Sequence, residues 1–165
     1  MDAIIIGGGI PKQTDPLYAY SQGKPKSLID IKGRPMITWV IDALADADQI
    51  DDLIVVGIDD PADQKLITHH TRQAIIWLPD AGGLVQNGLA GLKYVYEKHG
   101  KHVNVIGCSS DIPELQPHMV DDLISRCQPL DKILYYAVVT PKIIESTYPN
   151  SRRTYANLAG EELDR

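Results

Sequence analysis

Five nearly continuous apolar runs rich in β-branched residues constrain this chain most: Ala3–Ile6, Leu53–Gly57, Ala74–Leu78, Val103–Gly107 and Ile133–Val139. A strand with one wet face alternates apolar and polar residues, whereas a continuous run requires cover on both faces, the condition of a parallel sheet. Between the runs lie segments of helical spacing: Pro35–Ala47, Pro61–His70, Leu84–Lys98 and Gln116–Arg126. Three of them open beside a proline, which suits a first helical turn. Alternating strand and helix predicts an α/β fold, a Rossmann-like doubly wound and mostly parallel sheet with helices on both faces. With 165 residues, the expectation is one domain over 1–165.

In such a sheet the ligand crevice lies outside the carboxyl ends of the strands. The loops that follow strands are Gly7–Lys26, Asp59–Pro61, Pro79–Asn87 and Cys108–Leu115. In the first, a buried strand runs directly into Gly7-Gly8-Gly9. Glycine lets backbone approach a ligand closely, and successive free N–H groups cradle phosphate oxygens. A tight turn is the alternative use of the same residues. The loop is no dinucleotide fingerprint, because Ile10-Pro11-Lys12-Gln13 follows where another glycine should open a helix. Nor is it a Walker loop, since Pro25 interrupts Gly23-Lys24-Pro25-Lys26-Ser27. What remains is a long loop carrying Lys12, Lys24 and Lys26.

Those lysines matter because the chain is acidic, with 22 Asp and Glu against 16 Lys and Arg and a formal net charge of −6. That balance argues against a nucleic-acid backbone or an anionic membrane as partner, so any phosphate must be held locally. No apolar run approaches the roughly 18 residues of a membrane span, and a cytoplasmic protein is expected. Cys108 and Cys127 match no disulfide or zinc pattern. None of the five histidines has a convincing catalytic partner in the sequence pattern.

The ordered text Ile4-Ile-Ile-Gly-Gly-Gly9, Asp15-Pro16-Leu17, Lys26-Ser27-Leu28 and Gly33-Arg34-Pro35-Met36 resembles the MobA-like nucleotidyltransferases. Pro79-Asp80-Ala81-Gly82-Gly83-Leu84-Val85-Gln86-Asn87 resembles the family's second nucleotide-contacting loop. Ser109-Ser110-Asp111-Ile112-Pro113 resembles its metal-binding Asp-x-Pro element, and Arg152-Arg153-Thr154-Tyr155 resembles a late segment of one subgroup. The resemblance implies a fold of the nucleotide-diphospho-sugar transferase type, a bound nucleoside triphosphate and Mg²⁺. It implies transfer of a nucleotidyl group to a phosphorylated acceptor (a sugar phosphate, polyol phosphate or molybdopterin-type cofactor) with release of pyrophosphate. Pro11-Lys12 replaces the arginine that many members carry, a point charge in place of a forked grip. The resemblance also implies that the chain stops before a second acidic metal-ligand region, so a domain truncated at its C-terminal end is expected. Self-association into a homo-oligomer is left open.

The roles implied are phosphate contact through the amides of Gly7, Gly8 and Gly9 and through Lys26, with Lys12 as a second cation. Asp111 is expected to hold Mg²⁺, which takes oxygen ligands and needs only one or two protein carboxylates. Asp80, Gly82, Gly83 and Asn87 are expected beside the nucleotide, Asn87 reading a base edge. Simpler alternatives are a solvated Lys26, an Asp111 that merely caps the next helix, and a local cap at Asn87. Two other functional classes compete. One is a nucleotide-binding or sensor module without turnover. The other is an oxidoreductase, disfavoured by the missing third glycine.

Overall fold

The computed structural model describes residues 1–101, 103–149, 155–158 and 161–164. By internal contacts the chain divides into two compact units, Met1–Arg126 and Cys127–Arg165. The first contains β1 (Asp2–Ile6), α1 (Tyr18–Ser21), a 3-10 turn at Lys26–Leu28, β2 (Asp30–Ile31), β3 (Arg34–Pro35) and α2 (Met36–Ala45). It continues with β4 (Leu53–Val56), α3 (Pro61–His69), β5 (Ile75–Leu78), α4 (Leu84–His99), β6 (Val105–Ser109) and α5 (Pro117–Arg126). The second unit contains α6 (Pro141–Thr147), β7 (Tyr155–Leu158) and β8 (Glu161–Asp164).

The sheet runs in the order β5-β4-β1-β6, and every neighbouring pair is parallel. Strand pleating sends successive side chains to opposite faces. Ala3, Ile5, Leu53 and Val55 therefore pack against α2, α3 and α5 through Ile37, Val40, Ile41, Leu44, Ile67, Val120 and Ile124. Ile4, Ile54 and Val56 pack on the other face against Val95 and Ala90 of α4. Both faces are covered, which is why the runs read as continuous. Local signals set the helix starts. Asp60 accepts a hydrogen bond from the Ala62 N–H at 2.8 Å ahead of Pro61, a capped first turn with proline in place.

One expected strand does not form. Ile133–Val139 forms no strand, with only an isolated bridge residue at Val139, and Ile133, Leu134 and Tyr136 are exposed. The run has the composition of a covered strand, but composition cannot supply the hydrogen-bonding neighbour that a strand requires. The parallel sheet among the described residues thus has four strands and not the five expected. The hairpin β2–β3 was not anticipated. Its turn places Lys32 at φ 55° and Gly33 at φ 87°, with Asp30 Oδ1 accepting from the Gly33 N–H at 2.9 Å. Two-residue strands are too short to carry a period. Arg34 then ties the hairpin to the helices. It donates to Thr38 Oγ1 at 2.7 Å and Asp42 Oδ2 at 2.6 Å, and stacks over Trp39. Gly-x-Pro-Met is therefore a structural element in this chain.

In the second unit β7 pairs antiparallel with β8, Tyr155 opposite Asp164. Arg152 and Arg153 lie outside the described residues. Among the described residues no helix is long and apolar enough to cross a membrane.

Candidate nucleotide site

The strand order reverses at β1: β4 and β5 extend to one side of it and β6 lies on the other. The two loops leaving β1 and β6 diverge there, and the crevice between them is the place where open α/β sheets take ligands. A cavity of about 650 Å³ occupies this position, within the range of small-molecule sites. Its walls include Ile6, Gly8 and Gly9 after β1, Cys108 and Ser109 at the end of β6, Lys26, and Asp80, Gly82, Gly83 and Asn87 around the start of α4. Residues expected beside a nucleotide from three separate stretches of sequence thus share one cavity.

The first loop is shaped by backbone contact. The Gly7 N–H donates to Val56 O at 2.9 Å, extending the β1–β4 pairing, so this amide is committed to the fold. The N–H groups of Gly8 and Gly9 donate to no acceptor among the described residues. A Cβ on Gly8 would stand 2.6 Å from Gly57 O, and one on Gly57 would stand 2.9 Å from the Gly8 backbone, so two chains cross at glycine contact. The return of the loop is pinned twice. The buried Ser27 Oγ donates to Gly7 O at 2.7 Å, and the Lys26 N–H donates to Gly9 O at 2.9 Å. These bonds place the Lys26 side chain at the cavity wall.

Lys26 Nζ donates to Asp111 Oδ2 at 2.5 Å, joining the loops after β1 and β6. The other oxygen, Oδ1, accepts from Ser109 Oγ. Burial opposes charge on Asp111, but the hydrogen bonds from Lys26 and Ser109 outweigh it and hold the carboxyl below its ordinary range. It is a carboxylate at neutral pH with both oxygens engaged. Cys108, on the cavity wall, is the opposite case. Burial, and then the Asp111 charge, push its thiol up to about 11. A thiol rather than a thiolate is present at neutral pH, so nucleophilic cysteine chemistry does not fit the cavity. Cys108 is accordingly expected to react with iodoacetamide at least tenfold more slowly than a free cysteine at pH 8, checked by mass spectrometry of the modified peptide.

The second loop is held from within. Asn87 is buried, its Oδ1 accepts from the Ala81 N–H at 2.6 Å, and its Nδ2 donates to Asp80 Oδ1 at 2.7 Å. The Asp80 N–H donates to Asp59 Oδ1 at 2.8 Å, which links the loops after β4 and β5. Asn87 therefore sets the shape of the loop with the amide that was expected to read a base. Gly82 turns the chain at φ 94°, and the first turn of α4 follows Gly83 at the cavity wall.

The three lysines of the first loop do not converge. Lys24 pairs with the buried Asp63 of α3 at 2.5 Å, and Lys12 is exposed and lies outside the cavity lining. Lys26 alone of the three reaches the cavity wall. Ser109 and Gly57 were not singled out from the sequence, and Asp59 was noted only as the start of a candidate loop and for the disfavoured oxidoreductase reading. Ser109 stood inside a quoted motif, while the parts of Asp59 and Gly57 depend on contacts between strands distant in sequence. Asp2, Asp52 and His99 form a cluster of possible metal ligands, but Asp2 begins β1, about 13 Å of strand away from the cavity end. Lys98 already pairs with Asp52 and Asp2 there. That cluster is no part of the cavity.

The sequence profile of the MobA-like NTP transferase domain matches residues 3–155. The chain belongs to this family. Among solved structures it is similar to a hypothetical transferase from Thermus thermophilus, with 29% identity and a TM-score of 0.70 over 99% of this chain and 61% of that one. It also resembles CMP:2-keto-3-deoxy-manno-octonic acid synthetase complexed with CTP, with 20% identity, a TM-score of 0.59, and 99% and 71% of the two chains covered. A third likeness is to 4-diphosphocytidyl-2C-methyl-D-erythritol synthase, with 14% identity, a TM-score of 0.61, and 97% and 64% covered. The last two likenesses concern the fold. The chain spans less than two thirds of the Thermus and erythritol synthase structures. No curated protein matches it.

Proposed function

We propose that this MobA-like domain binds a nucleoside triphosphate with Mg²⁺ in the cavity and transfers the nucleoside monophosphate to a phosphorylated small-molecule acceptor, releasing pyrophosphate. One observation carries the reading. Gly8, Gly9 and Lys26 line a single cavity at the strand-order reversal, the N–H groups of the two glycines are uncommitted among the described residues, and the Asp111 carboxylate, itself outside the lining, pairs with Lys26 there. Amides and ammonium suit phosphate oxygens, and a carboxylate suits a hard divalent cation.

In the reaction an acceptor phosphate oxygen attacks the α-phosphorus in line, a new P–O bond forms, and the bond to the bridging oxygen of the β-phosphate breaks. The electron pair leaves with pyrophosphate. Such transfers need positioning and charge neutralisation more than covalent help. Gly8 and Gly9 would orient the triphosphate through backbone amides, and Lys26 would meet the charge that develops on the leaving pyrophosphate. Asp111 fits Mg²⁺, since Ser109 and Lys26 already hold it ionised at the cavity. When bound, the cation neutralises phosphate charge and screens the attacked phosphorus. Asn87 acts at one remove, by fixing the loop that borders the nucleotide. The acceptor class is a sugar phosphate, a polyol phosphate or a pterin-type cofactor.

The test is pyrophosphate release from each of ATP, GTP, CTP and UTP, with Mg²⁺ and a panel of phosphorylated acceptors. Release that requires one triphosphate and one acceptor class supports the reading. Binding of a triphosphate without release under any acceptor would favour a module without turnover.

A further inference from the structure

Lys26 and Asp111 are engaged with each other at 2.5 Å, and both Asp111 oxygens already accept hydrogen bonds, from Lys26 and from Ser109. The proposed triphosphate and the proposed cation must therefore compete with an existing ion pair. Resting on the functional reading above, we infer that this pair couples the two ligands, so that triphosphate and divalent cation enter together as one complex and each alone is resisted.

The argument is one of charge. A metal-free triphosphate that draws Lys26 away leaves the Asp111 carboxylate uncompensated beside a polyanion. A cation that takes Asp111 alone leaves the Lys26 ammonium beside another positive charge. Each half-occupied arrangement exchanges an attraction for a like-charge contact. The complex of triphosphate and cation exchanges one ion pair for two attractive contacts. The side chains are 36% and 33% exposed, so water screens the competition and keeps it moderate. A change of roughly fivefold in the affinity of either lone ligand is the expected scale.

Calorimetric titration of the full chain with ATP, GTP, CTP and UTP, in EDTA and in Mg²⁺, tests the coupling together with Mn²⁺ titration followed by electron paramagnetic resonance. Asp111→Asn is expected to bind the metal-free triphosphate about fivefold more tightly than the wild type, and to gain little on adding Mg²⁺. Lys26→Met is expected to bind Mn²⁺ alone more tightly than the wild type. Asp122→Asn removes an exposed carboxylate outside the cavity lining, and it should leave the metal-free affinity within about twofold. Equal or weaker metal-free binding by Asp111→Asn, or an equal gain in Asp122→Asn, overturns the coupling while Mg²⁺-dependent binding by the wild type stands. Absence of wild-type binding to all four triphosphates in Mg²⁺ overturns the functional reading, and the coupling with it.

Discussion

Lys26→Ala is expected to weaken binding of the Mg²⁺–triphosphate complex by about 10- to 100-fold, read by calorimetry, while leaving the far-ultraviolet circular dichroism spectrum unchanged. The magnitude follows from losing one charge-assisted hydrogen bond to phosphate, roughly 1.5–3 kcal/mol. Fold stability should change little, because the ion pair lost with Asp111 is about one third exposed and worth at most about 1 kcal/mol. The backbone bond from the Lys26 N–H to Gly9 O and the Ser27 bond to Gly7 O survive the substitution. Affinity and stability are thereby separated at one residue. Unchanged affinity in Lys26→Ala would remove the phosphate role.

Gly8→Ala is expected to have the opposite signature, a loss of stability on the order of 3 kcal/mol or more. The added Cβ would lie 2.6 Å from Gly57 O and 3.0 Å from Gly57 Cα. Backbone cannot swing aside as the end of a side chain can, so the loops after β1 and β4 must separate. That separation pulls on the Gly7 N–H bond to Val56 O, the last link between these strands. Denaturant unfolding should show a lowered midpoint with little change in slope. Gly9→Ala is the informative control, since the nearest atom to its Cβ is the flexible Lys26 Cε at 3.7 Å. A stability loss in Gly9→Ala equal to that in Gly8→Ala would show that backbone crowding at Gly57 is not the cause.

These two glycines show how far the sequence reached. A buried strand ending in three glycines located the loop, because apolar continuity and glycine are local signals. The division of labour within the triplet was not legible. Gly7 completes strand pairing, Gly8 permits a crossing with Gly57, and Gly9 stands open at the cavity; the first two depend on neighbours some 50 residues away, the third on Lys26. Lys26 and Asp111 were both singled out as candidates, through their loops and through the family resemblance. Their direct pairing was not, since it arises from β1 and β6 lying side by side. Asn87 was expected beside a nucleotide from its position early in α4, and it lines the cavity. Its amide turned out to hold Asp80 and Ala81, a choice set by loop geometry that spacing does not encode.

The same limit explains the elements that differ. Ile133–Val139 has the apolar content of a covered strand and remains exposed, because pattern reports the wish for a partner and not its presence. Lys12 and Lys24 share a loop with Lys26, yet Asp63 captures one and the other stays in solvent, so proximity in sequence overstated the positive charge at the cavity. The four strands that do pair carried a stronger signal. Their runs could be checked against helical segments of matching length on either side, and covered strands between helices admit few arrangements.

The most direct test of the central claim is calorimetric titration of the wild-type chain with ATP, GTP, CTP and UTP, each with and without Mg²⁺. Saturable binding of at least one triphosphate that strengthens on adding Mg²⁺, and that is lost in Lys26→Ala, is the predicted result. Wild-type binding that is absent for all four, or indifferent to both Mg²⁺ and Lys26, would contradict the assignment of this cavity to a metal-bound nucleoside triphosphate.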